Sequence, residues 1–108
     1  MLTKIEKKAI KEFKKLLKNK LKEQFLSVKL FGSKARGDSH RNSDIDLIIV
    51  LKTSSESNKD KVFDVVMKIL KEYETYLSVH IYSDKEHKRL NSIPTVFMQM
   101  IQRDAITI

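Results

Sequence analysis

Two carboxylates, Asp44 and Asp46, open an apolar run that ends at Leu51. The apolar run before it, "FLSVKLF", breaks at Gly32-Ser33. On an extended strand residues i and i+2 point to the same side, so both carboxylates project together. Two like charges held that close repel, and in isolation one would keep a proton. A divalent cation removes the conflict. Oxygen ligands with no Cys and no obvious His pair suit Mg²⁺, which takes one or two carboxylates together with substrate phosphates. Ile45, between them, points to the opposite side and can anchor the strand in a core.

Gly32 permits close approach of backbone to a ligand and tolerates positive φ. Ser33 adds a hydroxyl. A helix starting here would present free N–H groups to an anion. The ten residues between Ser33 and Asp44 include none that is large and apolar, and they supply Lys34, Arg36 and Arg41. One end of a sheet would thus offer a phosphate-friendly turn beside a metal-friendly carboxylate pair. That combination points to a nucleoside triphosphate with Mg²⁺, the metal polarising the α-phosphate and neutralising the departing pyrophosphate.

The elements that must hold these residues follow from periodicity. Leu2, Ile5, Ala9, Phe13, Leu16, Leu17 and Leu21 recur at helical spacing, with Lys on the outer face. Phe25 to Phe31 reads as a strand with Leu26, Val28 and Leu30 on one face. Gly32 to Ser43 is an irregular polar loop. Asp44 to Leu51 reads as a strand buried on both faces beyond Asp46. Ser57 and Asn58 are candidate caps for a second helix traced by Val62, Val65, Val66, Ile69, Leu70, Tyr73 and Leu77. Leu77 to Ser83 is a third strand, and Asp84 caps a short helix. Pro94 starts a last helix through Met100, and "AITI" closes the chain as an edge strand. The expected fold is α/β: a small mixed sheet with helices packed on it. Residues 1–108 suit a single domain.

Composition narrows the class. The longest uninterrupted apolar run, Leu47 to Leu51, is far short of a membrane span. The first residues, "MLTKIEKKAIKEF", lack the apolar segment of a signal peptide. With no cysteine there are no disulfides or thiolate metal sites, which fits a cytoplasmic protein. The net charge is +8, and residues 1–24 carry +6 of it, from nine Lys and three Glu. Such a basic helix is a solvated face or binds an acidic partner or nucleic acid. No Arg precedes Arg36, and the basic face carries no aromatic stacking platforms, so nucleic acid ranks last.

The order of these pieces, with "GSKARG" and "SDIDL" bounding the ten-residue gap, resembles the nucleotidyltransferases of the DNA polymerase beta superfamily. The short length looks like the minimal nucleotidyltransferases of bacteria and archaea. The motif covers Leu30 to about Val50. The resemblance implies a polymerase-beta-like fold, with Gly32 and Ser33 on the triphosphate and Asp44 and Asp46 as catalytic metal ligands. Arg36 matches the family's frequent "ARG" and contacts phosphate or steadies the loop. The implied activity is transfer of AMP from ATP to a hydroxyl, with Mg²⁺ as cofactor. The implied partner is a HEPN-domain toxin, modified on a tyrosine, this chain being the antitoxin in a homo- or hetero-oligomer.

One feature departs from that family. Active members usually carry a third carboxylate on a later strand, here "LSVHIYS". The expected position holds His80, or its neighbours Val79 and Ile81, none an acid. His80 carries an imidazole that could act as a base or serve structure. Asp84 reads as a cap, and Glu72 and Glu74 sit on a helix. The alternative to an enzyme is therefore a nucleotide-binding antitoxin that silences its partner by complex formation. Val96, Phe97, Met98, Met100 and Ile101 could join such an interface or pack in the core.

Overall fold

The computed structural model describes residues 2–32, 45–92, 95–96, 98–99 and 105–108. Gly32 and Asp46 fall within that set. Ser33, Lys34, Arg36, Arg41 and Asp44 lie outside the described residues, as do Pro94, Phe97, Met100 and Ile101 of the expected last helix.

The first helix, α1 (Lys4–Leu21), opens on a capping box: the Glu6 amide donates to Thr3 Oγ1 at 3.1 Å, and the Thr3 amide to Glu6 Oε1 at 2.8 Å. It buries Ala9, Ile10, Phe13, Leu17 and Leu21. Ile5, expected on that face, is exposed: it lies in the first turn, at the edge of the buried stripe. A short 3₁₀ turn leads into β1 (Phe25–Phe31), which pairs antiparallel with β2 (Ile45–Leu51). Phe25 lies opposite Leu51 and Ser27 opposite Val50, so Leu26 is an extra residue in the ladder. That bulge turns Leu26 outward, away from the face it was expected to share with Val28 and Leu30.

Leu47 to Leu51 are all buried, as their unbroken apolar run requires. The second helix, α2 (Glu56–Tyr73), is capped by Ser55, not by Ser57 or Asn58 as expected. Ser55 is extended, and its hydroxyl accepts the Asn58 amide at 3.2 Å. Asn58 is instead a buried tie. Its side-chain amide donates to the Thr53 carbonyl at 2.8 Å and to Gln24 Oε1 at 3.2 Å, joining α2's first turn to the 3₁₀ turn before β1.

After α2 the chain enters β3 (Leu77–Ser83), parallel to β2. The third helix, α3 (Asp84–Asn91), is capped by Ser83, not Asp84, because Ser83 and Glu86 form a second reciprocal box with both bonds at 3.0 Å. Asp84 pairs with Lys88 at 3.1 Å instead. Val96, Met98 and Gln99 are helical, with Met98 buried and Val96 exposed. The edge strand expected at "AITI" is present as β4 (Ile106–Thr107), antiparallel to β1.

The sheet order is β3-β2-β1-β4, a mixed sheet as expected. Its two faces differ. One carries the main core, where Ile45, Leu47, Ile49 and Leu51 meet α1 and α2. The other carries a smaller cluster of Phe31, Ile48, Val50 and Met98, flanked by Tyr82 and Leu90. Among the described residues no helix is long and apolar enough to cross a membrane.

Candidate functional site

The site is built where β1 ends and β2 and β3 begin. Phe31, the last residue of β1, lies opposite Asp46, and the chain then turns at Gly32 with φ +77. That conformation is left-handed and suits glycine. A second constraint acts on the same residue. A Cβ placed on Gly32 would come 2.7 Å from Asp46 Oδ2, with Asp46 Cγ at 3.6 Å. The bare backbone of Gly32 therefore leaves room for the Asp46 carboxylate against it.

Asp46 is half-buried at the border of the smaller apolar cluster. It alternates with Ile45 and Leu47, which enter the main core, so it shares the other face with Ile48 and Val50. The anchoring expected of Ile45 is present: it is 2% exposed. A carboxylate held on a strand whose next five residues are buried has a rigid mount. Its oxygens are the hard donors that a magnesium ion takes, and one of them occupies the space that a Cβ on Gly32 would need. Among the described residues no cluster of three or more His, Cys, Asp or Glu forms around it.

The parallel register places Ser78 of β3 directly beside Asp46. Ser78 was not singled out from the sequence. Its place depends on which residue of β3 pairs with which of β2, and no local pattern reports that. His80 lies one pleat further along the same face, opposite Ile48. Its ring meets the Phe31 ring edge-on, with centroids 5.3 Å apart. That edge-to-face contact steadies the wall beside Asp46.

The other acids do not reach this place. β3 runs away from Asp46, so Asp84 begins α3 some 20 Å along the strand from Ser78, at about 3.3 Å per residue. Glu72 ends its side of α2 on the helical face, and Glu74 follows as the left-handed cap residue. The far end of the outer face has its own electrostatics. A hydrogen bond from Ser54, then bonds from Ser83, lower the Glu86 carboxyl to about 2. Burial, with help from the Lys29 ammonium, lowers the His87 imidazole.

The family model described as polymerase beta nucleotidyltransferase matches residues 11–108. A protein of Methanocaldococcus jannaschii, provisionally named a protein adenylyltransferase, is 38% identical over 87 residues, covering 80% of this chain and 83% of that one. A solved structure described as a minimal nucleotidyltransferase shares 18% identity with a TM-score of 0.56, and covers 94% of both chains. The antitoxin-bound, tri-AMPylated HEPN toxin complex of Shewanella oneidensis contains a chain with 16% identity and a TM-score of 0.54, covering 94% of this chain and 69% of that one. At these identities the structural likeness speaks for the fold.

Proposed function

Because the chain belongs to the polymerase beta nucleotidyltransferase family, we propose that it transfers AMP from ATP to a hydroxyl on a partner protein. The observation that carries this reading is the apposition of Gly32 and Asp46 at the strand ends. Gly32 lets the triphosphate approach the backbone closely, with Ser33 and Arg36 as further phosphate contacts. Asp44 and Asp46 would hold Mg²⁺. When bound, the metal would polarise the α-phosphate and offset charge on the leaving pyrophosphate. The acceptor oxygen attacks the α-phosphorus, a phosphorus–oxygen bond forms, and the bond to pyrophosphate breaks. Phe31 and His80 form a fixed wall beside the carboxylate.

The acceptor we favour is a tyrosine of a HEPN-domain toxin, which makes this chain its antitoxin. Two similarities support that choice. The M. jannaschii relative carries a protein adenylyltransferase name. A HEPN toxin bearing AMP is held by an antitoxin of the same fold. ATP as donor fits action in the cytoplasm.

A second reading has its own observation. Ser78, beside Asp46, is not an acid, and neither is His80, one pleat further on. With no further carboxylate clustered at Asp46 among the described residues, the site suits an antitoxin that binds nucleotide and silences its toxin by complex formation.

The test combines α-labelled ATP, Mg²⁺ and a HEPN protein encoded beside this chain, with wild type run against Asp46→Asn. Label on the HEPN protein with wild type alone supports transfer. An inhibited, unlabelled HEPN protein in a stable complex supports the second reading. Full labelling by Asp46→Asn contradicts the proposed role of Asp46.

A further inference from the structure

We propose that the groove between α1 and Ile108, the residue that follows the edge strand β4, docks an acidic, apolar-anchored segment of a partner protein. The groove measures about 810 Å³. Its floor is apolar, formed by Leu2, Ile10, Tyr73 and Ile108. Lys14 reaches across it and donates from Nζ to the Ile108 carbonyl, which fixes the edge strand against the helix as one wall.

The rim has one sign of charge. Lys7, Lys8, Lys11, Lys15 and Lys18 are exposed around it, and Glu12 is the one acid among its described lining residues. Among the described residues, none of those five ammoniums pairs with a carboxylate. Lys7, Lys11 and Lys15 follow at four-residue spacing, so each is a like-charge neighbour of the next, which costs a few tenths of a kcal/mol per pair. A segment carrying carboxylates relieves each of these repulsions, and its apolar side chains cover the floor. The lysine stems themselves extend the apolar surface while their heads stay in water. This is the arrangement by which an amphipathic helix is received in a groove.

The same features count against nucleic acid. Among the described lining residues there is no Arg and Tyr73 is the one aromatic, where a strand of bases needs successive stacking platforms. Position adds a functional consequence. The groove lies on the helical side of the sheet, whereas Asp46 lies on the other side, so occupancy leaves the Asp46 side open. The inference therefore stands whether or not Asp46 supports transfer.

The test uses the full chain and fluorescent synthetic peptides. One peptide places Leu at helical spacing with Glu between. A second replaces Glu by Gln, a third replaces Leu by Ser, and a single-stranded RNA of similar length is the fourth probe. The Leu/Glu peptide is expected to bind at least about tenfold more tightly than either relative. Lys7→Glu with Lys11→Glu should weaken it by about tenfold or more. Lys52→Glu with Lys85→Glu, the same charge change at exposed positions elsewhere, should leave it within about twofold. Thermal melts confirm that both variants fold, since all four lysines are exposed. Equal binding of the Ser/Glu peptide would reduce the groove to a charged surface and overturn the proposal. So would tighter RNA binding lost in the same variant, or no effect of the groove substitutions.

Discussion

Gly32 and Asp46 share one small volume: a methyl group on the first would sit 2.7 Å from a carboxylate oxygen of the second. The two residues are fourteen positions apart, yet the antiparallel pairing of β1 and β2 brings Phe31 opposite Asp46 and so delivers Gly32 to the carboxylate. A backbone position without a side chain thus meets a carboxylate at the strand ends.

Gly32→Ala should be costly twice over. The φ of +77 strains any L side chain, and the new methyl displaces the Asp46 carboxylate. The expected loss is about 1–3 kcal/mol of stability, read by urea denaturation. Adding Asp46→Ala removes the collision but not the backbone strain, so the double variant should recover part of the loss, a coupling of about 0.5 kcal/mol or more. Simple additivity of the two changes would mean that the close approach is not felt.

Ser78→Asp places a carboxylate on the strand position beside Asp46. With Mg²⁺ and ATP present, transfer should rise on the order of tenfold or more, since a positioned base contributes about 10²–10⁴-fold when aligned. Without metal the same variant should melt at lower temperature, because two neighbouring carboxylates repel. Unchanged transfer together with an unchanged melt would show that the two strand positions do not communicate.

Glu86 gives a pH dependence with a definite sign. Its carboxyl is lowered from 4.5 to about 2 by bonds from Ser54 and Ser83. A lowered carboxylate stabilises the fold above its unfolded value, and that contribution fades as pH falls from about 4.5 toward 2. Glu86→Gln should therefore be less stable than wild type near neutral pH, with the gap narrower at about pH 3. The carboxyl is exposed, so the effect is small, and paired urea melts at the two pH values measure it. A gap that is equal at both would assign Glu86 no ionic role in capping α3.

Much of the scaffold is written in local pattern. The unbroken run Leu47–Leu51 reads as a doubly covered strand because both of its faces are in fact covered. Gly-Ser before a polar gap and a carboxylate pair marks a candidate site for chemical reasons that hold without coordinates. Other features arise only when distant segments meet. The bulge at Leu26 reverses one side chain in a run that alternates perfectly on paper. Ser78 gains its place from the β2–β3 register alone. The lysine-rimmed groove needs Lys14 and Ile108, 94 residues apart, to close its wall. The caps shift for a different reason: Ser55 and Ser83 each win because their hydroxyl reaches an amide three residues on, which several nearby Ser, Asn and Asp could also have done.

Both functional readings require that Asp46 hold the metal of a bound nucleotide, and this is open to direct measurement. Binding of a non-hydrolysable ATP analogue would be titrated calorimetrically against wild type and Asp46→Asn, with and without Mg²⁺. The expected result is Mg²⁺-dependent binding by wild type and loss of that dependence in Asp46→Asn, with the fold intact by circular dichroism. Equal affinity and equal Mg²⁺ dependence in the two proteins would contradict it.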